Sequence, residues 1–323
     1  MNIFITGGSG FVGGAAIRHL ATTHTLYAMV RSPEGVPLIS ELGATPVQCS
    51  LASVTAENLQ GMDVIIHAAA LVAPWGPYPA FEATNVAGTR RLLEQAQAAG
   101  VKRFIHISSE TVLFQGQDLI DIDENHPYPE GKSPFAYSES KKEAEKLVLA
   151  ANHEQFTTLA LRPRMVWGPG DTTFLPALCD MVDHNRFLWV AHGRIKTSTC
   201  FIHNLTHAIA LSLDRGRGGE AYFITDGKPT TLGHFFSQLV GSTGRVANGK
   251  NISGGLLRFA ARIVETMWNL FARNKKPPIT RFSAAIISRH CTLKIEKAQN
   301  ELGYAPICTF SEGIALLKKD HNN

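Results

Sequence analysis

The chain opens on an apolar run, Ile3-Phe4-Ile5-Thr6, that breaks directly into Gly7-Gly8-Ser9-Gly10-Phe11-Val12-Gly13. No other junction in the sequence restricts the fold as much. Gly7 permits a tight turn, Gly10 lets backbone come close to an anion, and Gly13 lets a helix pack closely on the preceding strand. Apolar residues at helical spacing follow over 13–22. A strand, a glycine turn and a helix start in that order form the first half of a βαβ unit. The free N–H groups and partial positive charge at the helix start suit a pyrophosphate. The turn therefore reads as a dinucleotide site, with a purely structural turn as the alternative.

Short apolar runs recur at 25–31, 45–48, 63–68, 103–108 and 158–162, and helical patterns occupy 85–99 and 137–151. This alternation predicts an α/β fold, a doubly wound parallel (Rossmann) sheet whose β-branched strands are covered on both faces. After Arg162-Pro163 the rhythm fades. Residues 166–171 are turn-rich, 240–255 read as a loop, and an amphipathic helix over about 255–273 stops before Pro277-Pro278. The expected organisation is a dinucleotide-binding domain over 1–166 and a smaller, mostly helical substrate lobe over 167–323, with segments around 196–225 returning to the first.

The 31 basic and 27 acidic residues leave a formal charge of +4, too little for a nucleic-acid footprint. Five cysteines (49, 179, 200, 291 and 308) form no metal-ligand spacing, which predicts free thiols and no metal. His67 and His106 fall inside strands, and His203 and His207 lie one turn apart on a helical stretch; all four read as structural. A strand at the N-terminus leaves no room for a signal peptide, and no uncharged stretch reaches the roughly 18 residues of a bilayer span. The expectation is a cytoplasmic enzyme.

The second run ends Met29-Val30-Arg31, with no acid before Glu34. An acid at that strand end holds the ribose 2′-hydroxyl of NAD, whereas an arginine suits a 2′-phosphate, so Arg31 predicts NADP(H) with NAD(H) as the second option. Tyr137 and Lys141 stand one helical turn apart, and an ammonium beside a phenol should lower its pKa toward working pH. Such a tyrosine can act as general acid or base in a carbonyl–alcohol interconversion. Tyr128 and Lys132 show the same spacing, but Pro129 and Gly131 between them oppose a helix. Ser109 ends the apolar run 103–108, where a parallel sheet presents ligand-facing groups.

Together these residues resemble the extended branch of the short-chain dehydrogenase/reductase superfamily. The likeness runs over almost the whole chain, through Asp63-Val64-Ile65-Ile66-His67-Ala68-Ala69-Ala70, Asn85-Val86-Ala87-Gly88-Thr89, Ser108-Ser109, Tyr137–Lys141 and Arg162-Pro163-Arg164-Met165-Val166. The later stretches 200–208 and 219–225 look most like the 3β-hydroxysteroid dehydrogenase/isomerase subgroup. The resemblance implies that Ser109 polarises a substrate oxygen, Tyr137 transfers the proton, and Lys141 holds the nicotinamide ribose. It also implies that Gly7, Gly10, Phe11 and Val12 line the pyrophosphate, Ala68, Ala69 and Ala70 flank the adenosine, and the Pro163–Val166 backbone meets the nicotinamide. Many relatives carry Asp where Cys49-Ser50-Leu51 places Ser50, which implies weaker adenine recognition by Ser50 and Leu51. Steroid dehydrogenases of the subgroup carry Asp where Arg31 stands, and dihydroflavonol reductase-like relatives carry Arg.

Nucleotide-sugar epimerases share the Ser–Tyr–Lys set. Dehydratases place two acids where Ser109-Glu110-Thr111 has one. A non-catalytic NADP-binding sensor is the alternative of another class. On the 255–273 helix, Leu256, Ala260, Ile263, Val264, Met267, Leu270 and Phe271 form one stripe with Phe259 and Trp268 at its margins. Three roles are open to it: packing against its own domain, roofing a pocket for a small apolar substrate, or peripheral membrane contact. Arg258, Arg262, Glu265 and Arg273 interrupt the run and exclude a conventional span, and Lys275-Lys276 before Pro277 reads as a solvated helix end. Related enzymes often form homodimers, which is the remaining partner expectation.

Overall fold

The computed structural model describes residues 1–271 and 277–322. Its centre is a seven-stranded, wholly parallel sheet. In chain order the first five strands are β1 (Asn2–Thr6), β2 (Thr25–Val30), β3 (Thr45–Gln48), β4 (Val64–His67) and β5 (Arg103–Ile107). β6 (Leu119–Ile122) lies elsewhere, and β7 (Thr157–Pro163) and the strand Glu220–Ile224 complete the sheet. The spatial order is Glu220–Ile224, β7, β5, β4, β1, β2, β3. Strand order reverses between β1 and β4, and the crevice beyond their carboxyl ends is where such sheets take ligands.

The pleat explains why the strands read as unbroken apolar runs. Ile3 and Ile5 enter one core with Ile66, Ile105 and Leu159. Phe4 enters the opposite core with Ile65 and Phe104. Each such side chain contributes about 1.5–3 kcal/mol on burial, so both faces must be covered by helices.

The predicted helix over 85–99 is interrupted. Residues Glu82–Ala87 form a π-helical turn before the α-helix Gly88–Ala98. The cause lies in Asn85, whose carboxamide accepts from Leu71 N at 2.7 Å and donates to Leu71 O at 3.1 Å. Holding that loop pulls the backbone out of α register, the usual setting of a π-bulge at a functional site.

The second half holds a separate core around Trp167, Phe201 and Phe235. A four-stranded sheet orders Thr230–Thr231, Lys196–Thr197, Cys291–Leu293 and β6. Asp226 staples this half, accepting from Trp167 Nε1 (3.0 Å), Thr199 Oγ1 (2.7 Å), Phe201 N (2.6 Å) and Asn204 Nδ2 (2.8 Å). The stretch read as a loop over 240–255 contains a strand, Lys250–Ile252, paired with Leu188–Val190. Its polar composition hid it, because the pair sits apart from the larger sheets.

The amphipathic helix is described over Gly254–Phe271; Arg273, Lys275 and Lys276 lie outside the described residues. Its buried face is Leu257 and Ala261, packed near Ala284 of the helix Arg281–Ser288. The apolar stripe read from the sequence instead faces largely outward, so packing does not account for it. Small side chains at the contact narrow the inward face, and the larger apolar ones are left over. Among the described residues no helix is long and apolar enough to cross a membrane.

Candidate active site

Gly7 leaves β1 with φ +74°, and a Cβ there would sit 2.8 Å from Ala69 N. A Cβ on Gly13 would lie 2.2 Å from Gly7 O, so the helix Phe11–Leu20 packs on the turn only because that position is glycine. Gly10 is exposed, and the helix start it caps has no side-chain cap and no acid in its first turn. Its N–H groups are thus left for an anion, and the residues present fit a dinucleotide pyrophosphate. Phe11, Val12, Ala68, Ala69 and Ala70 are half-buried around this crevice. Thr6 Oγ1 accepts from Ala69 N at 3.1 Å and meets His67 Nδ1 at 2.7 Å, which ties β1 to the end of β4.

Arg31 is exposed just beyond β2. Ser50 is turned toward Ser53, with Ser50 N and Oγ each 3.0 Å from Ser53 Oγ. Leu51 packs against Gly88, where a Cβ would come within 3.0 Å of it. On the other side, Pro163 ends β7, Val166 is half-buried, and Met165 between them adopts φ +43°. A non-glycine residue there stores of order 1–3 kcal/mol of strain, a feature that clusters at functional sites.

Ser109, Tyr137 and Lys141 converge beyond the end of β5. Tyr137 and Lys141 belong to the helix Ala136–Ala150, whose first turns are buried on nearly every side. Lys141 is 2% exposed and donates from Nζ to Ile107 O (2.8 Å) and His106 Nε2 (3.2 Å). Burial pushes its ammonium down to about 8, with Glu145 acting against that shift. The expected lowering of the Tyr137 pKa is not found. Burial and the Glu110 carboxylate push the phenol up, and the Ser109 hydroxyl acts the other way. Lys141 is turned toward β5, where its charge is spent on Ile107 O and His106.

Ser109 Oγ donates to Glu110 Oε2 at 2.8 Å and accepts from Thr111 Oγ1 (3.0 Å) and Thr111 N (3.2 Å). Glu110 is buried in an ion pair with Arg164, which also donates to Thr197 Oγ1 at 2.9 Å. The Tyr128 hydroxyl lies apart from this centre and donates to Glu145 Oε1 at 2.6 Å. His67 is satisfied by Thr6 and Thr89, but His106 Nδ1 is buried with no protein partner, so the structural reading holds for the first and is incomplete for the second.

A cavity of about 400 Å³ opens in front of Tyr137, walled by Trp75, Phe81, Phe135 and Phe282. Phe282 meets the Tyr137 ring edge-on, with centroids 5.9 Å apart. The helix Gly254–Phe271 does reach this cavity, but through Glu265 and Asn269. Met267 is on the outer surface and Trp268 is not among the lining residues. Trp75 Nε1 donates to Asn269 Oδ1 at 3.3 Å across the mouth.

The sequence reading gave no role to Asn85 as the clamp on Leu71, to the pairing of Glu110 with Arg164, to His106 as partner of Lys141, or to the Trp75 and Asn269 wall. Glu110 and Arg164 stood in plain view beside Ser109 and Pro163, but their pairing spans 54 positions. Only the fold brings them together.

Comparison with known proteins gives the geometry a lineage. The chain is 40% identical to the 4-hydroxy-2-methyl-3-oxo-4-farnesyl-3,4-dihydroquinoline-1-oxide ketoreductase of Stigmatella aurantiaca, over 99% of this chain and 96% of the relative. It is 32% identical to the 2-alkyl-3-oxoalkanoate reductase of Stenotrophomonas maltophilia (strain K279a), over 98% of each. The crystal structure of gox2253 superposes with a TM-score of 0.79 at 28% identity, covering 98% of both chains. Residues 4–252 match the model of one family. With that match and these relatives, the chain belongs to the 3-beta hydroxysteroid dehydrogenase/isomerase family, within the extended short-chain dehydrogenase/reductases.

Proposed function

We propose that this protein is a nicotinamide-dependent ketoreductase that interconverts a carbonyl and an alcohol on a small molecule with a bulky apolar body. Residues 1–166 take the dinucleotide, and the substrate cavity lies where Trp75, Phe81, Phe135 and Tyr137 of that stretch meet Glu265, Asn269 and Phe282 of 167–323. The observation that carries the reading is the Tyr137 phenol facing an aromatic-walled cavity, with Ser109 beside it and Lys141 one helical turn away. Two relatives with near-complete overlap are named as reductases of keto compounds.

The bound reduced dinucleotide would supply hydride to the carbonyl carbon. Tyr137 holds its proton at neutral pH, because burial and Glu110 keep the phenol up, and so is ready to protonate the oxygen. Ser109 Oγ is fixed by two donors from Thr111, and rotation of its hydroxyl redirects its proton from Glu110 to the substrate oxygen. Lys141 gives two of its three ammonium protons to Ile107 O and His106 Nε2, and the third would go to the nicotinamide ribose. Glu110, held by Arg164, is not a free acid for a leaving hydroxyl, which counts against elimination. Tyr137→Phe should cut ketone-dependent NADPH oxidation by about 10²-fold or more while nucleotide binding persists. Undiminished turnover would defeat this mechanism.

Arg31 supports NADP(H) as the preferred cofactor: it is exposed just beyond β2, the strand end at which such folds read the ribose 2′ position. Arg31→Asp should erode or reverse the preference for NADPH over NADH in titrations of the two. Equal affinities in the unaltered protein would show that Arg31 has no part in the choice.

A further inference from the structure

The helix Gly254–Phe271 has three faces with three different fates. Leu257 and Ala261 are buried against Ala284 and Val190. A polar face turns inward at the cavity: Glu265 pairs with Arg281 at 2.9 Å, and Asn269 receives Trp75. The third face is apolar and exposed: Leu256 56%, Phe259 61%, Ile263 44%, Met267 54%, Leu270 62% and Phe271 83%. Their three- and four-residue spacing makes one continuous arc about 120° wide. Scattered apolar residues on a surface need no explanation, but six large ones side by side do.

We propose that this arc is where the protein lies on the anionic surface of a lipid bilayer. The helix rests in the interfacial plane and places the cavity about one helix diameter, roughly 10 Å, from the lipid. Charge selects this occupant. The arc itself carries no acid, the helix's one carboxylate (Glu265) is turned inward to Arg281, and Arg262 is exposed on the polar flank. The whole chain carries a formal net charge of +4. An apolar face with a cationic margin is drawn to acidic headgroups. A second copy fits less well, because a stable protein interface uses roughly 20–30 residues a side and the arc supplies six. The docking rests on the surface alone. The delivery of a lipid-dissolved ketone to Tyr137 rests on the ketoreductase reading.

The test is co-sedimentation of the intact protein with vesicles of phosphatidylcholine, with and without phosphatidylglycerol. The expected result is binding to the anionic vesicles that weakens as salt is raised. Phe259→Ser, Met267→Ser and Leu270→Ser together should lower the bound fraction about tenfold or more and leave thermal melting unchanged, since all three side chains are exposed. No partition to either vesicle, or partition equal in the triple variant, overturns the proposal. So does a dimer in sedimentation velocity that the triple variant dissolves, which would make a second copy the occupant. If docking is present but no ketone is turned over in vesicles or in buffer, the ketoreductase reading fails and the docking stands.

Discussion

Lys141 shows how much of the site is decided by water, or its exclusion. Its ammonium is almost wholly desolvated, and burial is the main reason it falls to about 8. Glu145 opposes the shift and keeps the group cationic at neutral pH. Two imidazoles share the compartment, their rings 5.2 Å apart. Burial first, and Lys141 second, push His67 down to about 3 and His106 well below its usual range. Both are neutral, so His106 can accept from Lys141 through Nε2 while Nδ1 carries the proton. A stability signature follows. An unfolded lysine titrates near 10.5 and the folded one near 8, so between these values the unfolded chain binds more protons. Lys141 therefore opposes folding below pH 8, and that penalty is relieved as pH rises from 8 to 10.5. Thermal melts of the protein and of Lys141→Met across this window should show the unaltered chain gaining on the variant. A constant difference would mean that the ammonium is solvated.

Elements were legible in proportion to how far local pattern decided them. β1, β2, β4, β5 and β7 are apolar because both sheet faces are buried, and their sequence runs mark them to within a residue or two. The glycine turn was legible for the same local reason, since backbone sterics at Gly7 and Gly13 leave no other residue room. The helix Gly254–Phe271 was legible as a helix but not in orientation. Amphipathic spacing reports that an apolar face exists, not which neighbour meets it. Its polar face, not its apolar one, reaches the cavity, so the substrate-side prediction moves to Asn269. Asn269→Leu removes the acceptor of the Trp75 indole and puts bulk at the mouth. The expected outcome is a severalfold higher KM for a bulky ketone, with kcat and NADPH affinity little changed. A parallel loss of NADPH affinity would show that the 71–77 loop answers to the dinucleotide crevice instead.

At the scale of the whole molecule, a long-range buried ion pair sets the register of the site's helix against the sheet, and no sequence pattern announces it. Arg162 on β7 meets Glu145 on the helix Ala136–Ala150 through two hydrogen bonds, 2.9 Å from Nε and 2.7 Å from Nη2. Both side chains are buried, at 3% and 0% exposure. Tyr128 donates to the same carboxylate and lies against the guanidinium, 5.4 Å from its ring centroid, and Phe223 covers it at 5.6 Å. The pair fixes the helix that carries Tyr137 and Lys141 to the sheet that carries Pro163. Desolvating two such ions costs several kcal/mol each, so their mutual attraction need not add net stability, whereas leaving one of them alone is severe. Glu145→Leu strands the Arg162 cation in a buried site and should lower unfolding free energy by about 3–5 kcal/mol. Adding Arg162→Met to that variant replaces the stranded charge with apolar volume beneath Tyr128 and Phe223, and most of the loss should return. Urea denaturation of the two variants beside the unaltered protein decides the matter. A double variant as unstable as the single one would mean that the pair contributes its own attraction, and that the sheet and the helix are held by it and not merely registered by it.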